Sequence, residues 1–109
     1  EPLLKPLVDI PRMAELGIAM TRDALDAFVT GDAERARRIA QSDDQVDQLY
    51  EQVYRELLVF MFNDPQTIQR ATWLLWIAHN LERIADRATN ICERVIFMVT
   101  GELVEYNVS

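Results

Sequence analysis

Apolar residues recur at a helical period along three stretches of the chain, and short breaks rich in Gly, Asp and Pro separate these stretches. In the first stretch the apolar residues are Met13, Leu16, Met20, Ala24 and Ala27/Phe28. Because Pro2, Pro6 and Pro11 crowd its beginning, we expect an irregular start and a helix that begins between Pro6 and Pro11. Gly31 then suits a left-handed helix end, and Asp32 suits the N-cap of the next helix.

The second and third stretches predict two longer helices. The second helix would run from about Ala33 to Phe62, with its apolar stripe interrupted at Ser42/Asp43, where polar residues take a core-like position. The pair Asp64-Pro65 then provides an N-cap followed by proline at the first helical position, which is a specific start signal. The third helix would run from Pro65 to about Thr100. Its nearly heptad apolar repeat is typical of long helices packed side by side.

The short connections between these helices force sequential neighbours to run antiparallel. We therefore predict an all-α fold, an up-down-up antiparallel three-helix bundle with long second and third helices. The 109 residues suffice for one domain, residues 1–109, and the absence of an initiator Met suggests a piece of a longer protein. Residues 102–109 show no periodicity, and we expect them either to be loose or to cover the bundle end through Leu103, Val104 and Tyr106.

Charge and cysteine content exclude several classes of function. With 18 Asp and Glu against 11 Lys and Arg, the formal net charge is −7, which disfavours nucleic acid and anionic lipid as partners. The single cysteine, Cys92, cannot form an internal disulfide, and no apolar run is long enough to span a membrane. Because nucleophile–base pairs, glycine-rich phosphate loops and CxxC or HExxH motifs are absent from the sequence, we do not expect an enzyme.

Two pairs of acidic residues lie at positions that border the apolar stripes. On the third predicted helix, Glu82 and Asp86 lie about 40° apart at 100° per residue, with Glu93 between them. On the second helix, Asp43 and Asp47 form a similar pair. Nearly equal numbers of residues separate Asp47 and Glu82 from the intervening turn. We therefore expect the four carboxylates Asp43, Asp47, Glu82 and Asp86 to lie at similar height on adjacent helices.

Four neighbouring carboxylates must take up protons, pair with arginine or bind a cation. Oxygen ligands favour hard cations such as Mg, Ca, Mn or iron, or Zn with water completing its shell. The alternative is a network in which Arg83 and Arg87, one residue after Glu82 and Asp86, satisfy the acids without metal. His79 is the only histidine, so the Glu-x-x-His pairs of helical di-iron enzymes are absent.

Two strings of sequence resemble the PhoU family of phosphate-signalling regulators. They are SDDQVDQLYEQVYRELL, residues 42–58, and NLERIADRATNICERVIF, residues 80–97. The resemblance implies one three-helix repeat of a protein with two such repeats in tandem, here the C-terminal one. It also implies a metal-binding pattern of an acid, three residues and then Asp, which falls on Glu82 and Asp86 and on Asp43 and Asp47. The metals implied are iron, zinc, manganese or magnesium.

The resemblance further implies a cytoplasmic adaptor without catalytic activity, homodimeric and only peripheral to membrane complexes. Such an adaptor would restrain phosphate uptake and phosphate-starvation signalling through the ATPase of the phosphate ABC transporter and a phosphate sensor histidine kinase. Two other functions stay open from the residues themselves. One is a carboxylate metal store or metalloenzyme, and the other is a purely structural helical module with solubilising acids.

Overall fold

A computed structural model of the protein describes residues 4–105, so the predictions for Pro2 and Tyr106 lie outside the described residues. Four α-helices follow one another: α1 (Leu4–Thr30), α2 (Ala33–Gln41), α3 (Asp43–Asn63) and α4 (Ile68–Thr100), with a 3₁₀ turn at Pro65–Thr67 before α4. They form an elongated three-helix bundle of 52 × 23 × 16 Å in which α2 and α3 together make the middle helix. The predicted all-α bundle is confirmed.

The start predicted for the first helix is wrong, because α1 is already helical at Leu4 and passes through both later prolines. Pro6 lies in the first turn, where its missing N–H would have had no helical partner. Pro11 lies inside the helix and leaves the carbonyl of Leu7 without its usual donor. Both Pro11 and Leu7 are on an exposed side of the helix, so water can reach that carbonyl.

The second predicted helix is interrupted at Ser42, which ends α2 and precedes α3. The Ser42 hydroxyl donates a hydrogen bond of 2.6 Å to the carbonyl of Ile39, and its amide donates to the same carbonyl at 3.0 Å. A serine hydroxyl that competes for backbone acceptors in this way tightens or breaks a helix. Because of the break, Asp43 becomes the first residue of α3 and is buried at the side of α4.

The turns follow the capping signals of the sequence. Gly31 and Gly101 have positive φ angles of 67° and 77°, which glycine adopts without steric cost. Asp64 accepts a hydrogen bond of 3.1 Å from the amide of Gln66, so it is an N-cap as predicted. The element that it caps is the 3₁₀ turn rather than α4, however, and α4 begins only at Ile68.

Contacts along the helices fix their directions. The α3 and α4 helices run antiparallel, because Tyr50 faces His79 and Thr72 reaches Met61. The α1 and α4 helices run parallel, because a Cβ built on Gly17 would lie 3.5 Å from Ile84 Cγ2, and one built on Gly31, just after α1, would lie 3.9 Å from Val99 Cγ2. The α4 helix packs closely because the buried positions in its first two-thirds are largely alanines, at Ala71, Ala78, Ala85 and Ala88. No helix within residues 4–105 is long and apolar enough to cross a membrane.

We predict that Asp32→Ala lowers the free energy of unfolding by about 1 kcal/mol. The Asp32 side chain accepts a hydrogen bond of 3.0 Å from the amide of Arg35 and so satisfies one of the unpaired amides at the start of α2. Urea denaturation measures the change. Glu15→Ala removes the same charge from an exposed position inside α1 and serves as the control. Equal effects of the two substitutions would show that the cap does not stabilise α2.

Candidate metal centre

Three of the four predicted carboxylates meet where the first turns of α3 pass the middle of α4. One oxygen from each of Asp43, Asp47 and Asp86 can be chosen such that all three lie within 4.8 Å of one another. Asp43 and Asp47 are one turn apart on α3, and Asp86 reaches them from α4. The antiparallel pairing of these helices brings together residues far apart in sequence, as the heights counted from the turn had predicted.

Glu82 lies one turn before Asp86 on the same face of α4 but does not join this close group. It is nevertheless near enough to raise the pKa of Asp43 by its charge. Asp47 in turn contributes to raising the pKa of Glu82. The structure therefore places three predicted ligands in a compact group and Glu82 at its edge.

Asp43 is the most buried member of the group. Only 5% of its surface is exposed, and within the described part of the chain its Oδ1 atom is buried without a hydrogen-bond partner. Burial, followed by the charges of Asp47, Asp86 and Glu82, raises the pKa of Asp43 to about 7 from an ordinary value of 3.8. A buried carboxylate oxygen without a donor is costly unless a proton or a cation occupies its vicinity.

The other three carboxylates also have raised pKa values, with burial as the largest cause in each. The next largest cause for Asp47 is the charge of Asp86. For Glu82 the charges of Asp86 and Asp47 are the next causes that raise the pKa. His79 acts in the opposite direction and lowers the pKa of both Glu82 and Asp86. Burial therefore disfavours the charged form of each of these carboxylates, and a cation bound among them would offset that cost.

The arginine alternative predicts the opposite electrostatic signature. A guanidinium close to a carboxylate lowers the pKa of that carboxylate. Arg83 and Arg87 have exposed side chains, and the pKa values of Glu82 and Asp86 are nevertheless raised. Burial therefore outweighs any lowering of the pKa by these guanidiniums at Glu82 and Asp86.

Two more acidic residues, Glu51 on α3 and Glu93 on α4, lie beyond the cluster and differ in their surroundings. Glu51 is exposed and pairs with Arg55 at 3.6 Å. Burial, followed by the negative charge of the half-buried Glu93, raises the pKa of the Cys92 thiol to about 11. A thiol that remains protonated at neutral pH is a poor nucleophile. Cys92, which is fully buried, therefore behaves as a small core residue.

Tyr50 and His79 border the cluster, although the sequence did not single them out as a pair. Their ring centroids lie 6.1 Å apart. Burial, and after it the charge of Glu82, raises the pKa of the Tyr50 hydroxyl. The available signal was spacing: Tyr50 is one turn after Asp47, and His79 is one turn before Glu82. These two side chains lie on the side of the cluster nearer to the α3–α4 turn.

The donor set fits a hard cation. Every member of the close group offers carboxylate oxygen, the ligand that Mg, Mn and iron prefer and that Zn also accepts. Asp43 would offer a carboxylate that is already desolvated in the fold, since its Oδ1 is buried and has no hydrogen-bond partner among the described residues. Three carboxylates leave room for water or a further acid such as Glu82 in an octahedral shell.

The fold and the sequence can now be compared with known proteins. The family model described as the PhoU domain matches residues 10–95. This range includes all of α3, all of α4 except its end, and the four carboxylates. The chain belongs to the PhoU family. Within this family match, the acid-x-x-x-Asp pattern occurs twice, once at Asp43 and Asp47 and once at Glu82 and Asp86.

The chain is similar to two proteins that are each named as a PhoU homologue and a phosphate-specific transport system accessory protein. The protein from Caulobacter vibrioides is 47% identical over 93 residues, which cover 85% of this chain and 40% of that protein. The PhoU homologue 2 from Thermotoga maritima is 47% identical over 102 residues, which cover 94% of this chain and 43% of that protein.

The fold is also similar to a crystal structure of the phosphate transport system regulatory protein PhoU from Streptococcus pneumoniae. The TM-score is 0.83 at 39% sequence identity, and the match covers 89% of this chain and 46% of that one. The chain thus spans less than half the length of these relatives.

Proposed function

We propose that this PhoU unit belongs to a cytoplasmic regulator that restrains phosphate uptake and phosphate-starvation signalling, and that it binds a metal ion. The observation that carries the metal-binding part is the buried Asp43, which belongs to a group of three carboxylates and has a buried Oδ1 without a hydrogen-bond partner among the described residues. The family match and the accessory role named for its relatives support the regulatory part.

Asp43, Asp47 and Asp86 would bind the ion directly, with Glu82 as a further ligand or as a base for bound water. The ion would be iron, zinc, manganese or magnesium, all of which accept carboxylate oxygen. Its positive charge would offset the repulsion between α3 and α4 and hold the two helices in one register. We assign it a structural and regulatory role and propose no catalysis.

We further propose that the unit acts as an adaptor without enzymatic activity. Its partners would be the ATPase of the phosphate ABC transporter and a phosphate sensor histidine kinase, and it would act as a homodimer. The net charge of −7 favours basic protein surfaces over nucleic acid or anionic lipid. Contact with the membrane would then occur only through these protein partners.

Binding to the purified ATPase and to the cytoplasmic part of the kinase tests the adaptor proposal. Biolayer interferometry with the metal-loaded chain should show saturable binding to at least one of the two proteins. Asp86→Asn, which weakens the metal site, should reduce the affinity, whereas Glu15→Gln on exposed α1 should leave it unchanged. Failure of both this chain and a longer parent protein to bind either protein would refute the adaptor role.

A further inference from the structure

Three arginines of α4 lie in a row on the side of the helix that faces away from the core, and we call Arg83, Arg87 and Arg94 the arginine row. At 100° per residue they fall within about 40° of one another and roughly opposite the buried Ala78 and Ala85. All three side chains are exposed, and none forms an ion pair with another described residue. The metal centre makes no use of them.

The arginine row is turned away from the acids of its own helix. The acids of α4 are Glu82, Asp86 and Glu93, and each is followed directly by one of the arginines. Because adjacent residues of a helix point about 100° apart, the acids lie on the side of the metal cluster and the arginines on the outward side. A chain with a net charge of −7 thus has one locally positive surface.

The arginine row continues into an exposed aromatic pair. Trp76 lies seven residues before Arg83 and at the same angle about the helix axis as Arg94. It is 60% exposed and packs edge to face on Trp73, with ring centroids 6.2 Å apart. The intervening Asn80 is uncharged, and its side-chain amide donates a hydrogen bond of 2.8 Å to the carbonyl of Trp76. This surface therefore extends about 27 Å along the helix without an acid.

The shape and charge of this surface fit a single acidic helix. Guanidinium groups bind carboxylates through paired hydrogen bonds, and an exposed indole ring offers a large apolar contact. From Trp76 to Arg94 the successive residues are seven, four and seven positions apart. A partner helix with an apolar residue and three acids at this spacing can lie along α4 at a small crossing angle.

A wider anionic partner fits less well. A membrane surface or a nucleic-acid duplex carries phosphates over a broad area and would bring some of them against Glu82 and Asp86, next to the arginine row. A single helix is narrow enough to contact the row alone. Repulsion by the net charge of −7 is screened within about 8 Å at physiological salt, so local contacts determine binding here.

We propose that the arginine row and Trp76 bind an acidic amphipathic helix of a partner protein. The chain as a whole favours basic surfaces, and this row is its local exception. The inference goes beyond the proposed function, because it requires neither the metal nor the ATPase and the kinase.

Fluorescence anisotropy in the presence of EDTA tests the proposal with a labelled synthetic helical peptide of about 25 residues. The peptide carries one leucine and three glutamates at the spacing of Trp76 and the arginine row. We expect saturable binding that weakens as salt is added, and at least about 10-fold weaker binding when glutamine replaces the glutamates. Unlabelled peptide should shift the tryptophan emission to shorter wavelength as Trp76 is covered, a readout that needs no substitution.

The double variant Arg83→Gln/Arg87→Gln should raise the dissociation constant of the peptide by about 10-fold or more. The control Arg12→Gln/Arg22→Gln removes the same charge from exposed positions of α1 and should leave binding unchanged. Absence of peptide binding at millimolar concentration overturns the proposal, as does equal weakening by the two double variants. Tighter binding to phosphatidylserine vesicles or to duplex DNA than to the peptide also overturns it.

Discussion

Asp43→Asn is expected to stabilise the metal-free protein at about pH 8 and to abolish the stabilisation that metal ions give to the native protein. The substitution keeps the shape of the side chain and removes the charge that the fold has buried. Because Asp43 is 5% exposed and its Oδ1 has no hydrogen-bond partner among the described residues, the charged form is unfavourable without a cation. The same charge is a strong ligand once a cation binds.

The pH dependence follows from the direction of the pKa shift. Burial and neighbouring acids raise the pKa of Asp43 from 3.8 to about 7, so the folded protein holds this proton more tightly than the unfolded chain does. The destabilisation is therefore absent below pH 3.8, grows as the pH rises and is complete above about pH 7. At about pH 8 we expect Asp43→Asn to raise the free energy of unfolding by about 2 to 4 kcal/mol.

Urea denaturation in EDTA at a mildly acidic pH and at a mildly alkaline pH measures this effect. The gain from Asp43→Asn should be small at the acidic pH and large at the alkaline one. Asp44→Asn is the matched control, because Asp44 is the exposed neighbour in the same helical turn. A gain of the same size for Asp44→Asn, or one independent of pH, would contradict the assignment of the buried charge to Asp43.

Leu57→Ala should lower the free energy of unfolding by about 3 kcal/mol and the melting temperature by about 10 °C or more. Leu57 is fully buried on α3 and is among the largest enclosed side chains of the core. Its truncation removes apolar burial and leaves a cavity. Calorimetry measures the change, and Val59→Ala, at a position 53% exposed, should cost less than about 1 kcal/mol. Equal losses would mean that the core is not centred where the structure has it.

Much of the fold could be predicted because hydrophobic periodicity and capping residues agree with each other. Gly31, Asp32 and Asp64 lie at the breaks that their conformational preferences suggest. The misplaced start of α1 has a simple origin: proline disfavours a helix interior, but an exposed carbonyl makes Pro11 tolerable there. The break at Ser42 coincides with the interrupted stripe, although periodicity alone could not distinguish a break from a buried polar residue.

The candidate site was predictable in position and less so in its chemistry. Counting residues from the turn placed Asp47 and Glu82 at one height, since helical rise is regular. Which acids converge depends on rotation about each helix axis and on side-chain conformation, so Glu82 was expected in the group but lies at its edge. The apolar stripe indicated a core-like position for Asp43, but its burial to 5% exposure depends on how closely α3 packs against α4, which the stripe does not specify.

The most direct test of the metal centre is the metal content of the protein purified without chelator, measured by inductively coupled plasma mass spectrometry. We expect iron, zinc, manganese or magnesium in stoichiometric amount, lost in Asp86→Ala, reduced in Glu82→Ala and retained in the control Asp44→Ala. Native protein that contains none of these metals, and whose thermal stability does not rise when each is added, would contradict the assignment of the carboxylate cluster as a metal site.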